Sequence, residues 1–143
     1  MTDTPLPCHV HYHRDQRMLE LIYATADSQG MPPAQPDDEG RDHYWLPAEL
    51  LRVYSPSAEV QGHSPEQAIL QTGKRTVGLN DITPVGRYSL KLHFDDGHDS
   101  GLFTWEYLYR MAREQDAWWE RYLAQLETAG ASREPTAITF KAL

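Results

Sequence analysis

Apolar and polar residues alternate over MLELIY (residues 18–23), which puts Leu19, Leu21 and Tyr23 on one face with the two-residue period of a strand. HYWL (residues 43–46) reads as its hairpin partner across a stretch rich in Pro, Gly and acid. Pro47 then stands at a first helical position, and PAELLRVY predicts a short helix that ends before Pro56. SPEQAIL predicts a further helical turn, with Ser64 as cap, Pro65 first and Gln67 closing a capping box. TVGLNDI and YSLKLHF read as two strands joined through Pro84 and Gly86. In the second, Tyr88, Leu90, Leu92 and Phe94 share one face while Ser89, Lys91 and His93 share the other. Asp95, Asp96 and Gly97 supply the chemistry of a tight turn, after which HDSGLF returns as the next strand.

Towards the C-terminus the period changes. Trp105, Leu108, Tyr109 and Ala112 fall at i, i+3, i+4 and i+7 behind Thr104 as cap, and Trp119, Tyr122, Leu123 and Leu126 repeat that spacing in a second helix stopped by Gly130. An aromatic stripe at this spacing is a core face before it is a cofactor box, because each buried large apolar side chain contributes about 1.5–3 kcal/mol. The pattern predicts an α+β fold, a small antiparallel β-sheet packed against C-terminal and short connecting helices. Residues 1–16 read as a flexible N-terminus, 17–130 as the domain, 26–42 as a mobile insertion between two strands, and 131–143 as a loosely held tail.

Composition narrows the function more than it changes the fold. The 143 residues suit one core, and no apolar run approaches the roughly 20 residues that cross a bilayer. The N-terminal residues lack a signal-peptide pattern, so a cytoplasmic location is expected and no membrane partner. A net charge of −8 argues against nonspecific nucleic-acid binding, which needs a basic face. One cysteine, Cys8, excludes an internal disulfide and an all-cysteine zinc site.

Several stretches invite a chemical reading. HVHYH alternates His9, His11 and His13, which in a strand puts three imidazoles on one face able to take zinc, copper or nickel; an exposed, frayed segment is the favoured alternative. HFD at residues 93–95 matches part of a non-haem iron triad, but His98 is too near to be the distant second histidine, so an iron oxygenase is rejected. TGKR at residues 72–75 resembles half of a phosphate loop, yet Ala68 and Arg75 stand where Gly and Ser or Thr are required. No nucleophile elbow surrounds Ser55 or Ser57, and no catalytic motif is found.

The segments LRVYSPSAEV and FDDGHDSGLFTWEYL, with GKRTVGLNDITPVGRYSLKLH between them, resemble the gamma-butyrobetaine hydroxylase-like N-terminal domain family over residues 17 to about 126, the insertion excepted. That resemblance implies a domain found alone in bacteria, ahead of 2-oxoglutarate-dependent hydroxylases, or fused to iron–sulfur carrier ATPases, and in none of these the catalytic part. It also implies a structural zinc held in the hydroxylases by three cysteines and a histidine. Those positions fall here at Ser55, Ser57, Val60 and His98, so the zinc ligands are lost but for one. No cofactor is expected.

Two readings follow. The favoured one is a non-catalytic accessory or interaction domain linked to iron–sulfur or 2-oxoglutarate oxygenase systems, with a protein partner or an anion held by Arg52, Lys74, Arg75 and His98. The alternative is a module for zinc or iron using His98 with Asp95, Asp96 or Asp99, or using His9, His11 and His13.

Overall fold

The computed structural model describes residues 6–24, 41–61 and 68–135. The expected insertion lies almost wholly outside them, as does the Ser64–Gln67 capping box. Strands β1 (His9–His13), β2 (Met18–Ala24) and β3 (Arg41–Pro47) make one antiparallel sheet in the order β1-β2-β3. Strands β4 (Leu79–Val85), β5 (Ser89–Phe94) and β6 (Leu102–Thr104) make a second, in the order β4-β5-β6. Helices α1 (Ala48–Val53) and α2 (Ala58–Gln61) connect the sheets, and α3 (Trp105–Ala129) closes the chain. The α+β class stands as expected, but the strands form two three-stranded sheets where the pattern suggested one.

The hairpin of β2 and β3 has the predicted faces. Leu19, Leu21 and Tyr23 are buried, and Leu46 joins them in the core with Leu90, Leu92, Phe94, Phe103, Leu108 and Met111. Residues 9–13, expected to be frayed, instead form an edge strand of the first sheet, with His11 opposite Glu20 and His13 opposite Met18. Their own alternation conceals this, because the apolar residues Val10 and Tyr12 pack only partly against the core. Tyr12 nevertheless ties the two sheets together, its hydroxyl accepting the Leu79 N–H at 3.0 Å.

In the second sheet Pro84 belongs to β4, paired with Leu90, and does not end the strand. Tyr88 precedes β5 and is 76% exposed, so the apolar face begins only at Leu90. The returning strand shrinks to Leu102–Thr104 because the chain from His98 to Gly101 is drawn towards α1 instead. The two predicted C-terminal helices are present and run on into each other within α3 across a kink at Glu114, whose φ −111° and ψ 15° are not helical. Thr104 caps its start by accepting the Tyr107 N–H, and Gly130 ends it at φ 65°, a left-handed conformation that glycine adopts without strain.

The tail is held as far as it is described. Arg133 forks both oxygens of the buried Glu49 carboxylate at 2.7 and 2.8 Å and lies over the Trp119 ring. The backbone N–H groups of Gly73 and Arg75 donate to Ser132 and Arg133. Among the described residues, no helix is long and apolar enough to cross a membrane.

Candidate functional site

Helix α1 runs into the loop Tyr54–Ser57, and the β5–β6 connection folds over it. Their meeting point gathers Ser55, Ser57 and His98, all below 10% exposed. Ser55 Oγ lies 2.9 Å and Ser57 Oγ 3.3 Å from His98 Nε2, and the Ser57 N–H points at Ser55 Oγ at 3.4 Å. Val60 is buried nearby in sequence, at the first turn after them. Hydroxyl-to-backbone bonding is a minor part here: the hydroxyls mainly meet the imidazole. Gly101 makes this closeness feasible, since a Cβ there would collide with Ser55 Oγ. Gln61 closes the loop from the other side, donating to the Ser55 carbonyl at 3.2 Å and to the Tyr107 hydroxyl at 3.3 Å.

Beside this corner Asp96 organises the charges. Its Oδ2 accepts from Arg52 Nε at 2.8 Å and Lys74 Nζ at 2.7 Å, and its Oδ1 accepts the backbone N–H of His98 at 3.2 Å. Burial opposes the charge of this carboxylate, but the bonds from Lys74, His98 and Arg52 outweigh it and hold its pKa down at about 2. Gly97, at φ 92°, lets the hairpin turn tightly enough for those bonds. Arg52 is 7% exposed and lies 6.0 Å from the Phe94 ring centroid, and its Nη1 is buried without a hydrogen-bond partner among the described residues.

The four residues expected to form a partner or anion surface therefore separate. Arg52 and His98 are interior groups of the fold. Lys74 is mostly covered and spent on Asp96, and only Arg75, 55% exposed and paired with Glu134, projects outward. The expected grouping of His98 with Asp95, Asp96 and Asp99 is also not assembled: His98 turns its Nε2 to the serines, Asp96 faces Arg52 and Lys74, and Asp99 approaches His93 at 3.8 Å.

A second polar cluster was only half legible. On the face of the first sheet away from the core, the register sets Glu20 between His11 on β1 and Trp45 on β3, with Ile22 between His9 and His43. Glu20 Oε1 meets His9 Nε2 at 3.3 Å and His13 Nε2 at 2.8 Å, and Oε2 meets His43 Nε2 at 2.5 Å. Burial disfavours the charged carboxylate, but the bonds from His13, His43 and His9 prevail and lower its pKa. Trp45 flanks the group, 4.8 Å from His13 and 5.4 Å from His43 between ring centroids. His11 stays outside the bonded set and packs against its neighbours. Glu20 and His43 carried no spacing signal of their own; the one clue was a lone acid in the middle of an apolar strand.

Comparison with known proteins agrees with this architecture. The family model described as gamma-butyrobetaine hydroxylase-like, N-terminal, matches residues 10–109. Two proteins with NMR solution structures are similar: one is 46% identical, with 96% of this chain and 98% of that chain covered at a TM-score of 0.72. The other is 44% identical, with 98% and 96% covered at a TM-score of 0.71. A crystal structure of a protein of unknown function of the DUF971 family, from Acidithiobacillus ferrooxidans, is 32% identical, with 78% of this chain and 98% of that chain covered at a TM-score of 0.55. No curated protein matches. The chain belongs to the gamma-butyrobetaine hydroxylase-like N-terminal domain family.

Proposed function

We propose that this domain is a non-catalytic accessory module that acts by binding a protein partner. The observation that supports this reading is the closure of the corner where the family resemblance implies a metal. Ser55, Ser57 and His98 are bonded to one another and buried, whereas a catalytic nucleophile and base must meet substrate. The corner serves as a clamp that fixes the β5–β6 connection to α1. Arg75 is the residue of the expected cationic surface best able to meet a partner, because its exposed pair with Glu134 is worth about 0–1 kcal/mol and exchanges readily.

The partner class proposed is an iron–sulfur protein or a 2-oxoglutarate oxygenase, on the ground that family members are fused to such proteins. Cross-linking of the tagged protein in cells, followed by sedimentation with the purified partner, tests this. A complex with a member of either class, weakened by Arg75→Glu, is expected. Enrichment of neither class would overturn the partner assignment. Turnover of any substrate by the isolated chain that disappears in Ser55→Ala or His98→Gln would overturn the non-catalytic reading.

A further inference from the structure

Between the end of α1, the segment 68–71 and the C-terminal half of α3 lies a cleft of about 330 Å³. Val53, Val60, Leu70 and Tyr122 form its walls, and Ile69, 60% exposed, borders it with the exposed Gln125. Its volume is at the lower end of ligand pockets, about 300–1,000 Å³, and suits a single side chain or small molecule better than a dinucleotide. Hydrogen bonds fix the backbone around it. Ile69 donates its N–H to the Val60 carbonyl at 2.7 Å, and the Tyr122 hydroxyl donates to the Gln71 carbonyl at 2.7 Å. Gln61 holds the opposite wall, its amide donating to the Ser55 carbonyl at 3.2 Å. Leu70, half-buried between the two tied residues, makes no backbone hydrogen bond among the described residues. Water can serve those groups, but an extended segment of another chain serves them while burying apolar area as well.

Charge decides which occupant fits. The chain carries 21 acidic and 13 basic residues, yet none of the described residues that line the cleft is charged. A phosphate or a free carboxylate would be desolvated there without a cation, whereas an apolar side chain gains by burial. The nearest charge along the helix is positive. Arg121, one turn before Gln125, shares a shallower groove with it, is exposed, and joins no salt bridge among the described residues. Past Gln71 the same segment runs on to Arg75, the exposed cation of the proposed partner surface.

We propose that the cleft receives a leucine-sized side chain from an extended segment of the protein partner, whose backbone pairs with Leu70 and whose neighbouring carboxylate meets Arg121. The contact rests on the partner-binding reading above, and it requires of the partner an exposed apolar residue beside an acid. Complementarity is then of two kinds: an uncharged cleft for the apolar anchor, and a free cation for the acid next to it.

Titration of the isotope-labelled full chain with acetyl-Asp-Leu-methylamide, followed by NMR, tests the site. Saturable shifts at the amides of Val60, Leu70, Tyr122 and Gln125 are expected. Acetyl-Asp-Gly-methylamide should bind at least about tenfold more weakly, because the buried anchor is gone. Methylating the backbone nitrogens of the leucine probe should weaken it about two- to tenfold by removing its donors. Ile69→Asp should weaken it about fivefold or more, and Arg121→Glu about two- to fivefold with a smaller effect at high salt. Both positions are exposed, and melting curves check that the variants fold; if either does not, the probe series decides. No saturable shift, or leucine and glycine probes binding alike, would overturn the proposal. So would a cross-linked partner complex that Ile69→Asp leaves intact, although the partner reading would then stand. Leucine-dependent binding at the cleft with no partner complex recovered would uphold the cleft and overturn the partner reading instead.

Discussion

Replacing Asp96 with Ala tests whether charge pairing, rather than apolar packing, locks the β5–β6 hairpin onto α1. An ordinary aspartate titrates at 3.8 and Asp96 at about 2, a difference worth about 2 kcal/mol of folding stability at neutral pH. The Ala variant loses that and also strands Arg52, which is 7% exposed and already has one nitrogen without a partner among the described residues. Uncompensated buried charge raises the expected loss to about 3–5 kcal/mol. Lys74→Ala, by contrast, leaves the Arg52–Asp96 pair intact and should cost about 1 kcal/mol or less. Urea unfolding at pH 6 and pH 3 measures both. Because the folded pKa is depressed, the stabilisation is complete above about pH 4 and is lost as pH falls towards 2. The gap between wild type and Asp96→Ala should therefore narrow by about 1 kcal/mol at pH 3. A loss below about 1 kcal/mol at pH 6, or a gap unchanged between the two pH values, would refute the reasoning.

Two further outcomes are expected. The triple variant Ser55→Cys, Ser57→Cys and Val60→Cys should gain a cobalt site with the near-ultraviolet charge-transfer band that only thiolate ligands give, since the serine oxygens already lie 2.9 and 3.3 Å from His98 Nε2; absence of the band would show that the corner no longer has the geometry the family resemblance implies. Arg133→Ala should destabilise the domain by about 2 kcal/mol in thermal unfolding, because it leaves the Glu49 carboxylate buried and unpaired, and an unchanged melting temperature would return the tail to a loosely held segment.

The amino-acid sequence by itself determined the parts of this protein that depend on local period and punctuation. Alternation in MLELIY and YSLKLHF placed Leu19, Leu21, Tyr23, Leu90, Leu92 and Phe94 in the core, and the i, i+3, i+4 stripe placed Leu108, Tyr122 and Leu126 there. Thr104 and Gly130 marked the ends of α3, because capping is settled within a turn of the chain. The segment around Ser55, Ser57 and His98 was legible through resemblance, and these three residues do meet. What distant segments do to one another was decided only in the tertiary structure. Arg52 and Asp96 are 44 residues apart, so nothing local distinguished Arg52 from a solvated arginine or predicted its partner. The join between His98 and α1 took up residues that period alone had assigned to a longer returning strand. Glu20 broke an apolar strand for no local reason, and only the register of three strands, which sets residues 9, 13 and 43 around it, gave its buried carboxylate the partners that satisfy it. Period reports which face a side chain takes; pairing in three dimensions chooses whose face it meets.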